Sequence, residues 1–315
     1  MTTPMHSGEW LLTDDTFMKP SYRISPFTTG SIAANSHCQP DAAAAADKYF
    51  STLLARYQQT WVRKAREAIT LALVDLNLTP DDTVTIITTS QNRYVSGCVT
   101  KAIEHVCQWD RTLSARTSAI LVIHEFGALV EDLESLYAQG IPVIEDYAHA
   151  FHSMPVEGIK GDYVIYSFPK YFSIQYGGIL LSKRPLQKTY TLSPSVLNYL
   201  KAVISHQLKD IGSFRQKRVA NHHYLTEAFK RFGCSPRFAW KNHETPSVFI
   251  FHVPSEISLP ALKTFVQEHG IESSVFYGEQ VFFIPVHHGL EEIDLDYFIF
   301  VYQHFLINNG IHDAI

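Results

Sequence analysis

The sequence feature that most constrains the fold is an alternation of short apolar runs with helical segments between residues 84 and 182. Five runs rich in β-branched residues occur there, with helical periodicity near residues 96–107 and 130–139. The runs are VTIIT (84–88), AILVI (119–123), IPVI (141–144), YVIY (163–166) and GILLS (178–182). Continuous apolar strands between helices are typical of a mainly parallel sheet covered on both faces. GILLS follows YVIY too closely for a crossover helix, so we expect it to run antiparallel.

Helices are predicted before and after this α/β region. An alanine run after Asp41, a common N-cap residue type, leads into a helix that we expect to continue through Trp61, and a second helix covers about residues 63–76. Beyond Pro185 a long helical region is followed by alternating strands and helices. The pattern predicts three parts, listed in chain order: an irregular N-terminal arm (1–40), a large α/β domain (41–190), and a linking helix with a small α+β domain (191–315).

Charge and cysteine content limit the partners of the chain. The 315 residues include 26 Lys and Arg against 31 Asp and Glu, with no basic cluster of the kind that binds a nucleic-acid backbone. The four cysteines form no CxxC pair, which favours reduced thiols over a disulfide framework or a zinc knuckle. No secretory signal is visible, and no uncharged apolar run approaches the roughly 20 residues that cross a bilayer. We therefore expect a cytoplasmic protein with small-molecule substrates and neither nucleic acid nor membrane as a partner.

Polar motifs follow three of the predicted strands. In open α/β sheets, ligands bind at the carboxyl ends of the strands, so these positions are candidates for a functional site. The motifs are HEFG (124–127), EDYAH (145–149) and SFPK (167–170), and the glycine pair 177–178 comes shortly after the last.

In this order the motifs resemble the sugar aminotransferases of the DegT/DnrJ/StrS type, a family of pyridoxal phosphate (PLP) enzymes in the aspartate aminotransferase superfamily. The similarity runs from about residue 60 to the C-terminus, through IPVIEDYAHA, GDYVIYSFPK, RQKRVANHHYL, HGIESSVFY and IPVHHGL. The resemblance implies fold type I, PLP as the cofactor, aminotransferase activity, and a homodimer with its active site near the interface. Members of the family mostly transfer an amino group from glutamate to a nucleotide-linked keto sugar.

The resemblance also assigns roles to individual residues. Lys170 takes the position of the Schiff-base lysine, and Asp146 takes that of the carboxylate that keeps the pyridine nitrogen protonated. Ser167 matches the residue that binds the cofactor phosphate. Tyr94 is the best match for the aromatic residue that stacks on the cofactor ring, and His149 stands where the family has Gln or His near the cofactor.

The sequence departs from the family pattern at several points. The Ser-Gly-Thr turn, whose amides hold the phosphate at a helix N-terminus, is replaced by Lys64, Ala65 and Arg66. We therefore expect Ala65 and Arg66 to bind the phosphate differently, with a side-chain cation in place of an amide. The segment between Trp109 and Ala119 is too short for the strand that most members place there, which implies a compact subtype. The family's Gly-x-Asn-x-Arg loop, which reaches the neighbouring subunit's cofactor, is not recognisable.

Two other hypotheses stay open. The altered phosphate turn allows a non-catalytic descendant of the fold that binds a ligand or partner. Alternatively, Glu145, Asp146, His149 and His152 could be metal ligands, because residues three and four apart share a helical face. The motifs favour the PLP enzyme, with no metal ion in its site.

Overall fold

The computed structural model of the protein describes residues 21–38, 44–188 and 190–311. By their contacts these residues form two compact units. The larger unit contains residues 27–212 and 241–245, and the smaller contains residues 21–26, 213–240 and 246–311. No helix in the described part of the chain is both long enough and apolar enough to cross a membrane.

The helices, in chain order, are α1 (Thr29–Ser36), α2 (Ala44–Leu53), α3 (Ala65–Asp75), α4 (Gly97–Glu104), α5 (Leu133–Tyr137), α6 (Pro194–Gln207), α7 (Ile211–Phe229), α8 (Leu259–Glu268) and α9 (Glu292–Asn308). The strands are β1 (Gln58–Val62), β2 (Thr83–Thr88), β3 (Gln108–Asp110), β4 (Thr117–Ile123), β5 (Val143–Asp146), β6 (Tyr163–Ser167), β7 (Gly178–Ser182), β8 (Ser235–Pro236), β9 (Val248–His252), β10 (Ser274–Val275) and β11 (Val281–Pro285).

A seven-stranded sheet in the order β1-β7-β6-β5-β4-β2-β3 organises the larger unit. Strands β2 to β6 run parallel, whereas β7 is antiparallel to both of its neighbours. The predicted mainly parallel sheet and the antiparallel GILLS strand are therefore confirmed. Alternate residues of β4 face opposite sides: Leu121 packs in one core with residues of α3 and α4, and Ile120 packs in another with Leu133 of α5. Both faces of the sheet are thus covered, which explains the uninterrupted apolar strands.

Two edge strands differ from the sequence prediction. The helix expected to reach Trp61 ends at Leu53, and residues 58–62 form β1 instead, paired with β7 across the sheet edge. The pairing supplies backbone hydrogen bonds and buries Trp61 and Val62, which outweighs any local helical preference. At the opposite edge of the sheet, β3 pairs with β2. The sequence predicts no strand there, since the segment from Trp109 to Ala119 is short, but β3 begins just before that segment.

The smaller unit contains an antiparallel sheet in the order β10-β11-β9-β8 together with α7, α8 and α9. Its core is rich in aromatic rings: Phe229 of α7 meets Phe249 of β9 edge to face and meets Tyr302 of α9 in a tilted arrangement. This packing explains why the C-terminal part of the sequence is so rich in aromatic residues.

Much of the predicted N-terminal arm lies outside the described residues, as do Asp41 and the first alanines after it. The described part of the arm includes α1, which carries the buried Asn35. The Asn35 amide donates a hydrogen bond to the carbonyl of Ser173 at 2.8 Å, so α1 is fastened to a loop of the larger unit.

Candidate active site

Three adjacent strands bring the central site residues to one edge of the sheet. Residue 123 of β4 pairs with Asp146 of β5, and Asp146 in turn pairs with Ile165 of β6. Ser167 ends β6, and Lys170 ends the 3₁₀ turn that follows it. Because parallel strands place their carboxyl ends together, Asp146, Ser167 and Lys170 all leave the sheet at the same edge.

Asp146 is a buried carboxyl group in a site that favours a nearby cation. Its side chain is 5% exposed, and the Ala148 amide donates to Oδ1 at 2.7 Å. Burial raises the pKa of Asp146 from its ordinary 3.8 to about 6, although the Ala148 hydrogen bond, His124 and the positive charge of Lys170 all act in the lowering direction. Lys170 is therefore close enough to act electrostatically on Asp146. A cation bound beside this carboxyl group would stabilise its ionised form.

Lys170 lies on a turn that is held from several directions. Pro169 lies within the first turn of the 3₁₀ segment, where its fixed φ is favourable, and the amides of Tyr171 and Phe172 donate back to the Phe168 carbonyl at 3.0 and 2.8 Å. The loop after the lysine is also fixed, because the Gln207 amide oxygen accepts from the Ser173 amide at 2.8 Å. The lysine thus projects from a rigid support.

The start of α3 lies beside Ser167 because Gly178 allows the two segments to approach closely. Gly178 pairs with Val62 on one side and with Ser167 on the other. A Cβ at Gly178 would lie 2.7 Å from the Tyr166 carbonyl oxygen and 3.3 Å from the Ala65 amide nitrogen. Only glycine therefore permits the close approach of the three segments.

Ala65 and Arg66 are the first two residues of α3, with Lys64 as the N-cap. The Glu67 carboxylate folds back over the helix start and accepts hydrogen bonds from the amides of Arg63 and Lys64 at 3.1 and 3.3 Å. These two amides are therefore occupied within the chain. At the position of the family's Ser-Gly-Thr phosphate turn, the amides of Ala65 and Arg66 point out of the start of the helix.

Tyr94 is carried by the loop after β2, two strands away from Asp146 in the sheet. Its side chain is 42% exposed, and its amide donates to the Asn92 side chain at 2.8 Å. Arg111 holds the same loop, since its guanidinium donates to the Asn92 carbonyl at 2.6 Å and to the Thr88 hydroxyl at 3.0 Å. This support by Arg111 is not visible in any sequence motif.

His149 follows Asp146 by three residues and is partly exposed at the same edge. Its imidazole meets the ring of Phe126, with centroids 5.4 Å apart and planes at 60°. Phe126 belongs to the HEFG turn, and its φ of 55° lies in the left-handed region. The structure therefore pairs His149 with an aromatic residue that sequence reasoning did not select.

A buried histidine and glutamate lie behind the edge. The Val130 amide donates to Nδ1 of His124 at 3.1 Å, so the proton of the neutral ring is on Nε2, which is 3.4 Å from Oε2 of Glu145. Burial acts to raise the pKa of Glu145, but hydrogen bonds from His124, Tyr137 and Tyr147 bring the pKa below its ordinary value. Both ring nitrogens of His124 are used within the protein, which assigns this residue to the support of the turn.

The proposed metal ligands do not form a metal site in the described residues, where no group of three or more His, Cys, Asp or Glu side chains is arranged to hold an ion. Glu145 and Asp146 are consecutive residues of one strand, so their side chains point to opposite faces of the sheet.

Comparison with known proteins gives a match in structure but not in sequence. The sequence matches no protein-family model and no curated protein. Among solved structures, the aminotransferase TlmJ of Streptoalloteichus hindustanus is similar with a TM-score of 0.70 at 17% identity, covering 86% of this chain and 92% of that one. A DegT DnrJ EryC1 StrS aminotransferase of Brucella abortus has a TM-score of 0.66 at 14% identity, covering 88% and 93%. A sugar aminotransferase of Streptococcus pneumoniae in its PMP form has a TM-score of 0.65 at 16% identity, covering 85% and 92%.

The chain has the fold of the sugar aminotransferases. The predicted fold class, the fold type I architecture of PLP-dependent transferases, is thereby confirmed. In these comparisons the chain covers 92–93% of the length of the three proteins.

Proposed function

We propose that the chain is a PLP-dependent aminotransferase of the DegT/DnrJ/StrS type. It transfers an amino group from an amino acid, with glutamate as the expected donor, to a keto sugar that we expect to be nucleotide-linked, or to a related carbonyl compound. The observation that carries the proposal is the placement of Lys170 and the buried Asp146 at the same carboxyl edge of a sheet with this fold. The proposal includes the domain division predicted from the sequence, with the cofactor held by the large domain.

The residues fit the cofactor through the chemistry of their donor groups. When bound, PLP supplies an electron sink that stabilises negative charge at the substrate carbon. Asp146 is a buried carboxyl group that gains stability from a cation, and a protonated pyridine nitrogen is such a cation. Tyr94 offers an exposed ring for stacking, and His149 lies at the same edge.

The phosphate end is assigned to a separate group of residues. Ser167 supplies a hydroxyl beside Gly178, and the amides of Ala65 and Arg66 open from the start of α3. The exposed guanidinium of Arg66 supplies the positive charge that the family's Ser-Gly-Thr turn lacks.

Lys170 is the residue to which we assign proton movement. With PLP bound, the neutral amine of Lys170 would accept and release a proton at Nζ as the general base and acid. The Asp146 carboxylate would accept a hydrogen bond from the protonated pyridine nitrogen. The rigid turn under Lys170 keeps Nζ in place between these steps.

The amino-donor half of the reaction gives a direct test of the function. We expect the protein saturated with PLP to convert L-glutamate to 2-oxoglutarate, with stoichiometric formation of the amine form of the cofactor, detected by mass spectrometry. Lys170→Ala should bind the cofactor and form no 2-oxoglutarate. PLP binding without conversion by any amino donor would instead support the non-catalytic descendant.

The acceptor and the assembly belong to the same proposal. A screen of keto sugars, with and without a nucleotide, against the amine-loaded protein would identify the acceptor class. We also propose a cytoplasmic homodimer with the active site near the subunit interface, which sedimentation of the PLP-bound protein would test.

A further inference from the structure

Phe126 has a backbone conformation that a bulky residue rarely adopts. Its φ of 55° and ψ of 16° lie in the left-handed region, where the Cβ atom is crowded by the neighbouring carbonyl. Glycine occupies such positions without cost, and the next residue, Gly127, already provides one at φ 103°. The aromatic residue at position 126 therefore makes the turn less stable than glycine would in this conformation.

The turn around Phe126 is fastened by four hydrogen bonds to groups from three other segments. They bond to the backbone at Glu125, Gly127 and Leu129 and to the Glu125 carboxylate. The contacts are Glu125 N–H to Thr89 Oγ1 at 3.0 Å, Ser153 Oγ to the Gly127 carbonyl at 2.6 Å, Leu129 N–H to Glu244 Oε1 at 2.9 Å, and Ser90 N–H to Glu125 Oε2 at 2.6 Å. Strained residues persist where surrounding contacts over-determine them, and such residues cluster at functional sites.

The Phe126 ring, which this backbone carries, packs against the His149 imidazole. The two rings meet at 60° with their centroids 5.4 Å apart, an edge-to-face geometry that fixes the plane of the imidazole. Both side chains are partly exposed at the carboxyl edge of the sheet. His149 follows Asp146 by three residues. The contact therefore sets the direction in which His149 faces the site.

We propose that Phe126 is a positioning residue that holds the His149 imidazole against the bound cofactor. The inference rests on the proposed function, since it requires that PLP bind at this edge. The strained backbone of the HEFG turn then serves cofactor binding, not the packing of the core.

A double-mutant cycle on PLP affinity tests the inference. We expect Phe126→Ala to raise the dissociation constant for PLP by about tenfold, the order of magnitude that loss of an orienting partner costs a ligating histidine. His149→Ala should weaken binding at least as much, and Phe126→Ala combined with His149→Ala should bind no more weakly than His149→Ala alone. Phe126→Tyr, which keeps the ring, should restore wild-type affinity.

A comparison of glycine and alanine at the same position separates strain from function. Phe126→Gly should unfold at a higher urea concentration than Phe126→Ala, because only glycine relieves the positive φ, while the two variants bind PLP equally weakly. The matched control is Asn77, which has φ 57° at the end of α3 on the opposite edge of the sheet. Asn77→Gly and Asn77→Ala should differ in stability in the same direction, with PLP affinity unchanged in both.

The outcomes distinguish this inference from the proposed function. If the wild-type protein binds no PLP, both are overturned. If the wild type binds PLP but Phe126→Ala and Phe126→Gly bind it with wild-type affinity, or the effects of the Phe126 and His149 substitutions add, the positioning role alone is overturned.

Discussion

Buried polar groups in the larger unit differ in how well they are satisfied. Glu145 receives hydrogen bonds from two tyrosine hydroxyls and two backbone amides, and His124 faces it. Tyr166 is fully buried on the neighbouring strand, yet its hydroxyl has no hydrogen-bond partner in the part of the chain that the structure describes. Removal of the hydroxyl should therefore change stability differently at Tyr166 and at a tyrosine that donates to Glu145.

We expect Tyr166→Phe to leave the free energy of unfolding unchanged or to raise it by about 1 kcal/mol, because no hydrogen bond is lost. Tyr147→Phe should lower it by about 1–3 kcal/mol, since Glu145 loses a donor at 2.9 Å. Urea denaturation of the two variants checks both. Greater destabilisation by Tyr166→Phe than by Tyr147→Phe would contradict the hydrogen-bond assignment.

We expect the stability of the cofactor-free chain to depend on pH through the ionisation of Asp146. Its folded-state pKa of about 6 lies above its ordinary 3.8, so the folded state holds the proton more tightly than the unfolded state. Its contribution to stability is therefore full below pH 4 and is lost as the pH rises through 6. The loss amounts to about 3 kcal/mol.

Asp146→Asn cannot ionise, so the cofactor-free variant should be more stable than the wild type at pH 8 and should lose this advantage near pH 4. The same variant should bind PLP weakly, because the pyridine nitrogen has no carboxylate to face. Urea titrations at both pH values give the comparison. A variant less stable than the wild type at pH 8 would show that Asp146 is not destabilised by burial.

Among the elements, β1, β6, β7 and the start of α3 approach one another closely at Gly178. Gly178→Ala places a methyl group 2.7 Å from the Tyr166 carbonyl oxygen and 3.3 Å from the Ala65 amide. We expect this substitution to lower stability by about 1–3 kcal/mol and to weaken PLP binding, because the phosphate end is displaced. Gly212→Ala is the control, since nothing lies within 4 Å of its added methyl group, and it should not weaken PLP binding. Equal effects of the two substitutions on PLP affinity would contradict the proposed phosphate site.

The central strands were predictable from sequence, whereas the edge strands were not. Strands β2, β4, β6 and β7 appear where apolar runs predict them, because strands buried on both faces need continuous apolar sequence. The edge strand β1 carries no such run. Its strand form comes from pairing with Gly178–Ser182, more than 100 residues away, which no local pattern contains.

At the scale of the whole molecule, all seven residues assigned to the cofactor lie in the larger unit. Their places in the fold could be anticipated, because the motifs that carry the family resemblance follow strands or begin a helix at the carboxyl edge of a parallel sheet. Their supports could not. The contacts of Arg111 with the Tyr94 loop, of Asn35 with the lysine loop and of Phe126 with His149 join residues that are distant in sequence.

The central claim is that Lys170 forms a covalent link with PLP, and borohydride trapping tests it most directly. The protein incubated with PLP is reduced, digested and mapped by mass spectrometry. We expect one pyridoxyl group on the peptide that contains Lys170, and none on this peptide in Lys170→Ala. A wild-type protein that carries no label at Lys170, or carries it on other lysines to the same extent, would contradict the account.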